Sequence, residues 1–176
     1  MYKAIESCRD LLENFGGHTY AAGLSLREEN LKEFIERFMK IASAEVTSEQ
    51  MIPQIDIDSV IQLKEINNAL MSDLKKMNPF GPDNEKPVFC SYNVYDFGTS
   101  KIVGKEGAHL KLELIDESSK IPTHAIAFGM SEHAKYITER NPVDICYTIE
   151  ENVYNGTTSI QLMIKDIRPS KGISSD

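Results

Sequence analysis

The strongest constraint on the fold is a strict alternation of apolar and polar residues in the second half of the chain. Leu110, Leu112 and Leu114 alternate with polar neighbours, and residues 143–150 repeat the pattern. Because successive side chains of a strand point to opposite faces, this period of two predicts strands with one buried face. Five strands are predicted in this half, at about residues 88–103, 109–116, 123–128, 143–151 and 158–167.

Two further features of the sequence predict how these strands are connected. Asn155-Gly156 separates the last two segments, and this dipeptide is the strongest short signal for a hairpin turn. A helical pattern at residues 131–140 lies between the third and fourth segments. Five strands with one helix in that place predict an OB-fold barrel at residues 88–170. A small β-sandwich shares these periodicities and stays open as an alternative.

The first part of the chain is mainly helical in pattern. Helices are predicted at about residues 2–14, 28–44 and 64–77, with short strands at 21–26 and 55–58. Gly16 or Gly17 is expected to end the first helix in the left-handed conformation, and residues 21–26 are expected to form a buried strand. Residues 79–87 contain three prolines and a glycine, which predicts a linker. The chain is therefore expected to be α+β, divided into residues 1–78, a linker, the barrel and a tail at 171–176.

Composition excludes several classes of protein. The chain has 176 residues, a formal charge of −8 and 41% hydrophobic residues, as in ordinary folded domains. The longest uncharged runs are too short to span a membrane, and the first residues lack a signal-peptide layout, so we expect a cytoplasmic protein. Three widely spaced cysteines without a C-x-x-C pair predict free thiols. The acidic balance means that nucleic-acid binding would require a local basic groove.

One segment of the first part carries residues suited to phosphate binding. Gly16 and Gly17 let backbone N–H groups approach an anion, and His18 adds a side-chain donor. By residue type alone, a simple turn is the commoner explanation. Asp56 and Asp58 are the nearest approach to a metal site, but two carboxylates make a poor one. We predict that they are solvated, and that the chain holds no metal.

Several short blocks then occur in a fixed order across the chain. They are Gly16-Gly17-His18 with Ala21-Ala22-Gly23, Asn78-Pro79-Phe80-Gly81-Pro82-Asp83-Asn84, Val103-Gly104-Lys105, His109-Leu110-Lys111-Leu112, Ala125-Ile126-Ala127-Phe128-Gly129, Ile160-Gln161-Leu162 and Asp166-Ile167-Arg168-Pro169. Together they resemble the C-terminal third of the single-strand-specific exonucleases in the DHH phosphoesterase family. The resemblance implies that residues 1–78 are the end of a partial α/β DHH-associated domain, followed by the OB-fold. Tyr20 is bulkier than the small residues many relatives carry there.

The resemblance implies a fragment of a 5′-to-3′ exonuclease of DNA repair and recombination. Manganese or magnesium is expected in a catalytic domain that this chain lacks, because no Asp-His-His motif is present. The chain alone is therefore predicted to be inactive and to position single-stranded DNA. Gly16, Gly17 and His18 would bind a substrate phosphate. The barrel candidates for nucleic-acid binding are Lys101, Lys105, His109, Lys111, Tyr92, Tyr95, Phe97, Tyr154 and Arg168, with some of the aromatic residues expected in the core.

Residues 88–170 hold 8 basic and 11 acidic side chains, so DNA binding by the barrel is expected to be weak and sensitive to salt. Two alternatives stay open. One is that the barrel is a protein-docking module for a helicase or a single-strand-binding protein, which the acidic balance favours. The other is that the parent protein is a DHH phosphoesterase that acts on short oligonucleotides. A monomer is expected in each case.

Overall fold

A computed structural model of the chain describes residues 2–18, 21–47 and 51–171. The chain divides into two units, residues 1–55 and 56–176. The first unit contains helix α1 (Tyr2–Glu6), strands β1 (Asn14–His18) and β2 (Ala21–Ser25), and helix α2 (Leu31–Glu45). Short 3₁₀ helices precede the hairpin and helix α2, at Arg9–Leu11 and Glu28–Asn30.

The predicted helix over residues 2–14 is wrong beyond its first turns. The α-helix ends at Glu6, and strand β1 begins at Asn14. Gly16 and Gly17 do not take the left-handed conformation; they pair with Gly23 and Ala22 in an antiparallel hairpin. Strand β2 is confirmed, but it is mostly exposed rather than buried. Cross-strand pairing therefore decides the conformation of this segment, which local helical spacing did not indicate.

Over residues 56–171, the second unit contains seven strands and two α-helices. The strands are β3 (Ser59–Val60), β4 (Phe89–Asp96), β5 (Lys101–Val103), β6 (His109–Asp116), β7 (Ser119–Ala127), β8 (Val143–Tyr154) and β9 (Thr157–Pro169). The helices are α3 (Asn68–Lys76) and α4 (Ala134–Thr138). The predicted strand at residues 55–58 is wrong by a few positions, since pairing with β4 begins at Ser59.

Five of the strands close into a barrel. Neighbouring strands follow the order β4-β8-β9-β7-β6, and a further pairing of β4 with β6 completes the ring. Strand β7 runs parallel to β9, while the other barrel pairs are antiparallel. Helix α4 lies between the third and fourth barrel strands in the chain. This order confirms the predicted OB-fold, because an open sandwich would lack the closing pair.

The second unit begins earlier than the predicted barrel. Leu63 and Leu74 lie in the same buried cluster as the barrel leucines. The Asp58 backbone N–H donates to the Val88 carbonyl at 2.9 Å, and the Ser91 hydroxyl donates to the Ile61 carbonyl at 2.7 Å. Residues 56–78 and the proline-rich stretch thus belong to this unit. These contacts join positions far apart in sequence, so a local change in composition could not reveal them.

The barrel interior contains the residues that alternation assigned to the buried faces of the second and fourth predicted strands, together with residues of the other strands. The core includes Val94, Leu110, Leu112, Leu114, Ala125, Ala127, Val143, Ile145, Tyr147, Ile149, Leu162, Ile164 and Ile167. All three cysteines are free, as predicted. Among the helices of the described ranges, none has the length and apolar character needed to cross a bilayer.

Candidate nucleic-acid interface

The outer surface of strands β5, β6 and β7 collects most of the predicted basic residues. On β6 the leucines point into the core, so His109, Lys111 and Glu113 point outward. Lys101 on β5 lies directly opposite Lys111, and Ile126 on β7 lies opposite Lys111 on the other side. We call the surface formed by Lys101, His109, Lys111, Ile126 and Phe128 the β5–β6–β7 face.

Two lysines face each other on this surface, and no carboxylate among the described residues forms an ion pair with either. These residues, Lys101 and Lys111, are both exposed. Like charges placed directly across a pair of strands repel each other. An anion bound between the two ammonium groups would relieve that repulsion. The pair is therefore suited to a phosphate group.

His109 is held in one orientation at the end of the same face. The Gly129 backbone N–H donates to its Nδ1 at 3.0 Å, which leaves the N–H of the neutral ring on Nε2. A Cβ at Gly104 would lie 2.9 Å from His109 Cδ2, so this close approach requires glycine. The loop from β5 to β6 also carries Lys105, which is exposed. His109 therefore offers a fixed hydrogen-bond donor beside the loop that carries Lys105.

Phe128 completes the face with an exposed aromatic ring. Its centroid lies 5.0 Å from that of His109 in an edge-to-face arrangement, and 55% of the residue is exposed. Exposed aromatic rings beside basic side chains are the usual platform on which the bases of a single strand stack. Phe128 was not among the site residues predicted from the sequence. The available signal was parity, since Ala125 and Ala127 point inward and Phe128 must then point outward.

Acidic residues limit the basic surface at its other end. Glu113 lies two positions along β6 from Lys111, and its carboxylate is 3.5 Å from His124 Nδ1. The Thr99 hydroxyl also donates to Glu113. Phe97 and Tyr95 continue the surface at the end of β4, where the Phe97 N–H donates to the Glu113 carbonyl at 2.8 Å. Phe97 is 42% exposed and Tyr95 is half-buried, so only Phe97 offers much ring surface.

Tyr92 lies on strand β4 and Arg168 on strand β9, so both are outside the β5–β6–β7 face. Arg168 Nε donates to the buried Asp144 carboxylate at 3.1 Å, and this hydrogen bond raises the pKa of the guanidinium. The neighbouring Cys90 thiol raises the pKa of Tyr92. The charge of Arg168 is thus balanced within the fold, so these two residues do not extend the basic pair Lys101–Lys111.

Tyr154 lies at the end of the long hairpin formed by β8 and β9, next to the turn at Asn155-Gly156. It is 72% exposed. Nucleic-acid ligands of OB-folds commonly contact the loop between the fourth and fifth strands as well as the second and third strands. Tyr154 is therefore available to a strand, although no described contact joins it to the β5–β6–β7 face.

In the first unit, the predicted phosphate loop is the β1–β2 hairpin. A Cβ at Gly17 would lie 2.4 Å from the Ala21 carbonyl oxygen, whereas a Cβ at Gly16 would meet nothing within 4 Å. The close pairing of the strands thus requires glycine at position 17. No contact requires glycine at position 16. His18 contributes backbone to β1, but its side chain, Thr19 and Tyr20 lie outside the described residues.

The described residues do not provide the ligands for a catalytic metal. In residues 2–18, 21–47 and 51–171, no three His, Cys, Asp or Glu side chains are grouped so that they could bind an ion. One Asp58 carboxylate oxygen accepts a hydrogen bond from the Val88 N–H at 2.8 Å, which gives this side chain a structural role. Manganese or magnesium therefore does not fit this part of the chain.

Comparison with known proteins places these observations in a family. The family model described as "RecJ OB domain" matches residues 57–166. The chain is 30% identical over 171 residues to the single-stranded-DNA-specific exonuclease RecJ of Bacillus subtilis, and this alignment covers 97% of the chain but 21% of that protein. It is 26% identical to the Haemophilus influenzae RecJ, covering 91% of the chain and 28% of the relative.

A solved structure shares the fold. The crystal structure of RecJ from Thermus thermophilus in complex with Mn²⁺ superposes with a TM-score of 0.75 at 21% identity, and the match covers 96% of the chain and 24% of that protein. The chain thus spans between about a fifth and just over a quarter of the length of these relatives. At this identity the structural match supports the fold, and the family match supplies the relationship.

Proposed function

Because the chain belongs to the RecJ OB domain family, we propose that its second unit binds single-stranded DNA on the β5–β6–β7 face. The bound strand would be positioned for a 5′-to-3′ exonuclease of DNA repair and recombination. The chain covers only part of its relatives' length, so the cleavage chemistry, with manganese or magnesium, is assigned to a longer protein. The part described here would handle the strand.

The observation that supports this proposal is the uncompensated pair Lys101–Lys111 beside His109 and Phe128. The two lysines lie opposite each other without an ion-pair partner among the described residues, and the His109–Phe128 pair offers a ring and a hydrogen-bond donor next to them. Phosphate neutralisation supplies sequence-independent affinity, and stacking on an aromatic ring adds roughly 1–3 kcal/mol per base. Both elements are adjacent on one surface.

The acidic surroundings predict the strength and salt dependence of binding. The chain as a whole carries a formal charge of −8, so its net charge does not attract DNA at long range. We therefore expect micromolar to millimolar affinity that falls as salt increases, with a slope of about −0.7 per phosphate contact for a single strand. Fluorescence anisotropy of a labelled oligo-dT at low salt measures it. Submicromolar affinity, or no binding at millimolar protein, would contradict the proposal.

Removing the charges of Lys101 and Lys111 tests whether DNA binds at the β5–β6–β7 face. The double variant Lys101→Ala/Lys111→Ala is expected to weaken binding at least tenfold and to flatten the salt dependence. Lys120→Ala is a matched control, because Lys120 is an exposed lysine on β7 that lies outside the β5–β6–β7 face. Equal effects of the two sets of changes would show that general charge, and not this surface, determines affinity.

A second candidate function is protein docking. It is favoured by an acidic surface, in contrast to the basic surface proposed for DNA. A cavity of about 330 Å³ beside Tyr92 is lined by Glu65, Asp116 and Glu117, and no basic residue lines it. Such a surface repels DNA and suits a basic segment of a repair partner, such as a helicase or a single-strand-binding protein. If Glu117→Gln, a change in the lining of that cavity, reduced partner binding while DNA affinity stayed unchanged, docking would be the better account.

We also propose that the β1–β2 hairpin contacts a phosphate of the DNA in the longer protein. The support is the resemblance of the Gly16-Gly17-His18 segment to the DHH-associated domain, together with the open space above Gly16. The hairpin belongs to the first unit, whereas the proposed barrel contact belongs to the second. The hairpin is therefore a separate contact, and its loss should leave binding by the barrel surface intact.

A further inference from the structure

Two free cysteines lie side by side on the barrel. Cys90 on β4 and Cys146 on β8 are directly opposite in the antiparallel pairing of these strands. Residues directly opposite in a pair of strands point to the same face of the sheet. The adjacent residues Ser91 and Tyr147 are joined by a hydrogen bond of 2.7 Å, and Tyr147 belongs to the barrel core. The two thiols therefore share the outer face.

Backbone hydrogen bonds define the type of this cross-strand pair. Strand β4 lies between β3 and β8, and the Cys90 carbonyl accepts from the Ile61 N–H at 3.0 Å. Since the N–H and C=O of one residue point to the same side of a strand, both backbone groups of Cys90 point away from β8. Cys90 and Cys146 thus form a non-hydrogen-bonded pair, in which the Cα atoms are about 4.5 Å apart. This spacing lies within the roughly 4.4–6.8 Å that a disulfide requires.

The two thiols differ in their access to solvent. Cys90 is 2% exposed, whereas Cys146 is partly exposed. Burial raises the pKa of both thiols, and a hydrogen bond between the thiols also shifts each value, which places the two sulfur atoms next to each other. A small oxidant can therefore reach Cys146 first, and the Cys90 thiol is in position to react with the product.

We propose that Cys90 and Cys146 are an oxidation site at which a peroxide forms a cross-strand disulfide. With hydrogen peroxide, the Cys146 thiolate attacks one oxygen, the O–O bond breaks, and Cys146 sulfenic acid and water form. The Cys90 thiol then attacks the Cys146 sulfur, the S–O bond breaks, and water leaves with the disulfide. The thiols lose two electrons and two protons, and the peroxide accepts both and becomes two water molecules. This inference does not depend on DNA binding.

The protonation state of Cys146 determines how fast this reaction is. Burial, the largest cause, raises its pKa to about 11, so only a small fraction of the thiol is ionised at neutral pH. Because the thiolate is the reacting form, oxidation is slow. The pair is therefore a crosslink that forms under sustained oxidation and not a rapid sensor.

The test exposes the full chain to hydrogen peroxide near neutral pH for several hours, then alkylates the remaining thiols in denaturant and maps the peptides by mass spectrometry. In the wild type, Cys90 and Cys146 should escape alkylation and appear as a linked peptide pair that separates on reduction. Cys8, which is 0% exposed and lies in the first unit, should still be alkylated. Cys146→Ser should leave Cys90 open to alkylation, and Cys8→Ser is the matched control that should retain the linked pair.

Several results would overturn the inference. They are alkylation of all the cysteines after treatment, conversion of Cys146 to sulfinic acid without a link, and a disulfide between Cys146 residues of two chains, seen as a dimer on a non-reducing gel. If Cys146→Ser does not fold, Cys90→Ser removes the other partner and should likewise give no link within the chain.

The stability of the oxidised chain gives a second measurement. A disulfide that fits the native geometry restricts the unfolded chain, so the oxidised wild type should unfold at a higher urea concentration than the reduced form. Cys146→Ser, treated in the same way, controls for oxidation of methionine and should show no such rise. A lower urea midpoint in the linked wild type than in this control would show that the pair does not fit a disulfide.

Discussion

The two units differ in how completely their helices and strands are packed. In the second unit, the barrel strands, with Leu63 and Leu74 from the segment before it, share one buried cluster. In the first unit, helix α2 has no buried residue, and Leu31, Ile35 and Met39 on one stripe are each about half exposed. An amphipathic pattern thus predicts which face is apolar, but not whether the rest of the chain covers that face.

The comparison predicts a large difference between equivalent truncations in the two units. Leu114→Ala removes a side chain that is 0% exposed in the barrel, and such core truncations cost roughly 2–5 kcal/mol. Ile35→Ala removes one that is 50% exposed, and surface changes usually stay within about 0.5 kcal/mol. Amide hydrogen exchange in β6 and in α2 measures both effects. Equal losses of protection would break the comparison.

A second prediction separates two adjacent glycines within the first unit. Gly17→Ala would place a Cβ 2.4 Å from the Ala21 carbonyl oxygen, while Gly16→Ala meets nothing within 4 Å. Gly17→Ala should destabilise the β1–β2 hairpin by about 1–3 kcal/mol, the usual cost of overpacking. Gly16→Ala should be tolerated. Exchange rates of the hairpin amides distinguish them, and similar rates in both variants would show that the strands do not pair so closely.

A third prediction concerns two free cysteines of the barrel, Cys90 and Cys146. Cys90 and Cys146 lie directly opposite on β4 and β8. Burial, followed by the neighbouring Cys90, raises the pKa of Cys146 from the usual 9.0 to about 11. Because this pKa is higher in the folded state, its stabilising contribution is present below pH 9 and is lost as the pH rises to about 11.

Urea denaturation under reducing conditions at about pH 8 and about pH 11, followed by a probe in the barrel, checks this effect. Cys146→Ala should lose less stability over that range than the wild type. Lys120→Ala serves as the surface control and should behave like the wild type. An unchanged pH dependence in Cys146→Ala would mean that the thiol is not buried as described.

The sequence was most informative where one strand carries its own buried face. Alternation located β6 and the leucines of the core, and Asn155-Gly156 located the last hairpin. Prediction from local sequence patterns failed where pairing between distant residues decides the structure. The segment with Gly16 and Gly17 pairs across a hairpin instead of ending a helix, and residues 56–78 join the barrel unit through contacts with β4.

The candidate site was predicted in part for the same reason. His109 and Lys111 could be placed on one surface because alternation located β6 correctly. Lys101 was predicted within a single strand over residues 88–103, which the structure divides into β4 and β5. The relation of these residues to Phe128 depends on the register between β6 and β7, which no local pattern contains. Arg168 looked equally available in sequence, but its contact with Asp144 balances its charge.

The central claim is that DNA contacts the β5–β6–β7 face of the barrel. The most direct measurement is an NMR titration of the ¹⁵N-labelled chain with oligo-dT at low salt. The account predicts amide shift changes concentrated at Lys101, at His109 to Lys111 and at Ile126 to Gly129, with few changes near Tyr92 or Arg168. Changes concentrated around Tyr92, Asp144 and Arg168 instead, or none at saturating DNA, would contradict it.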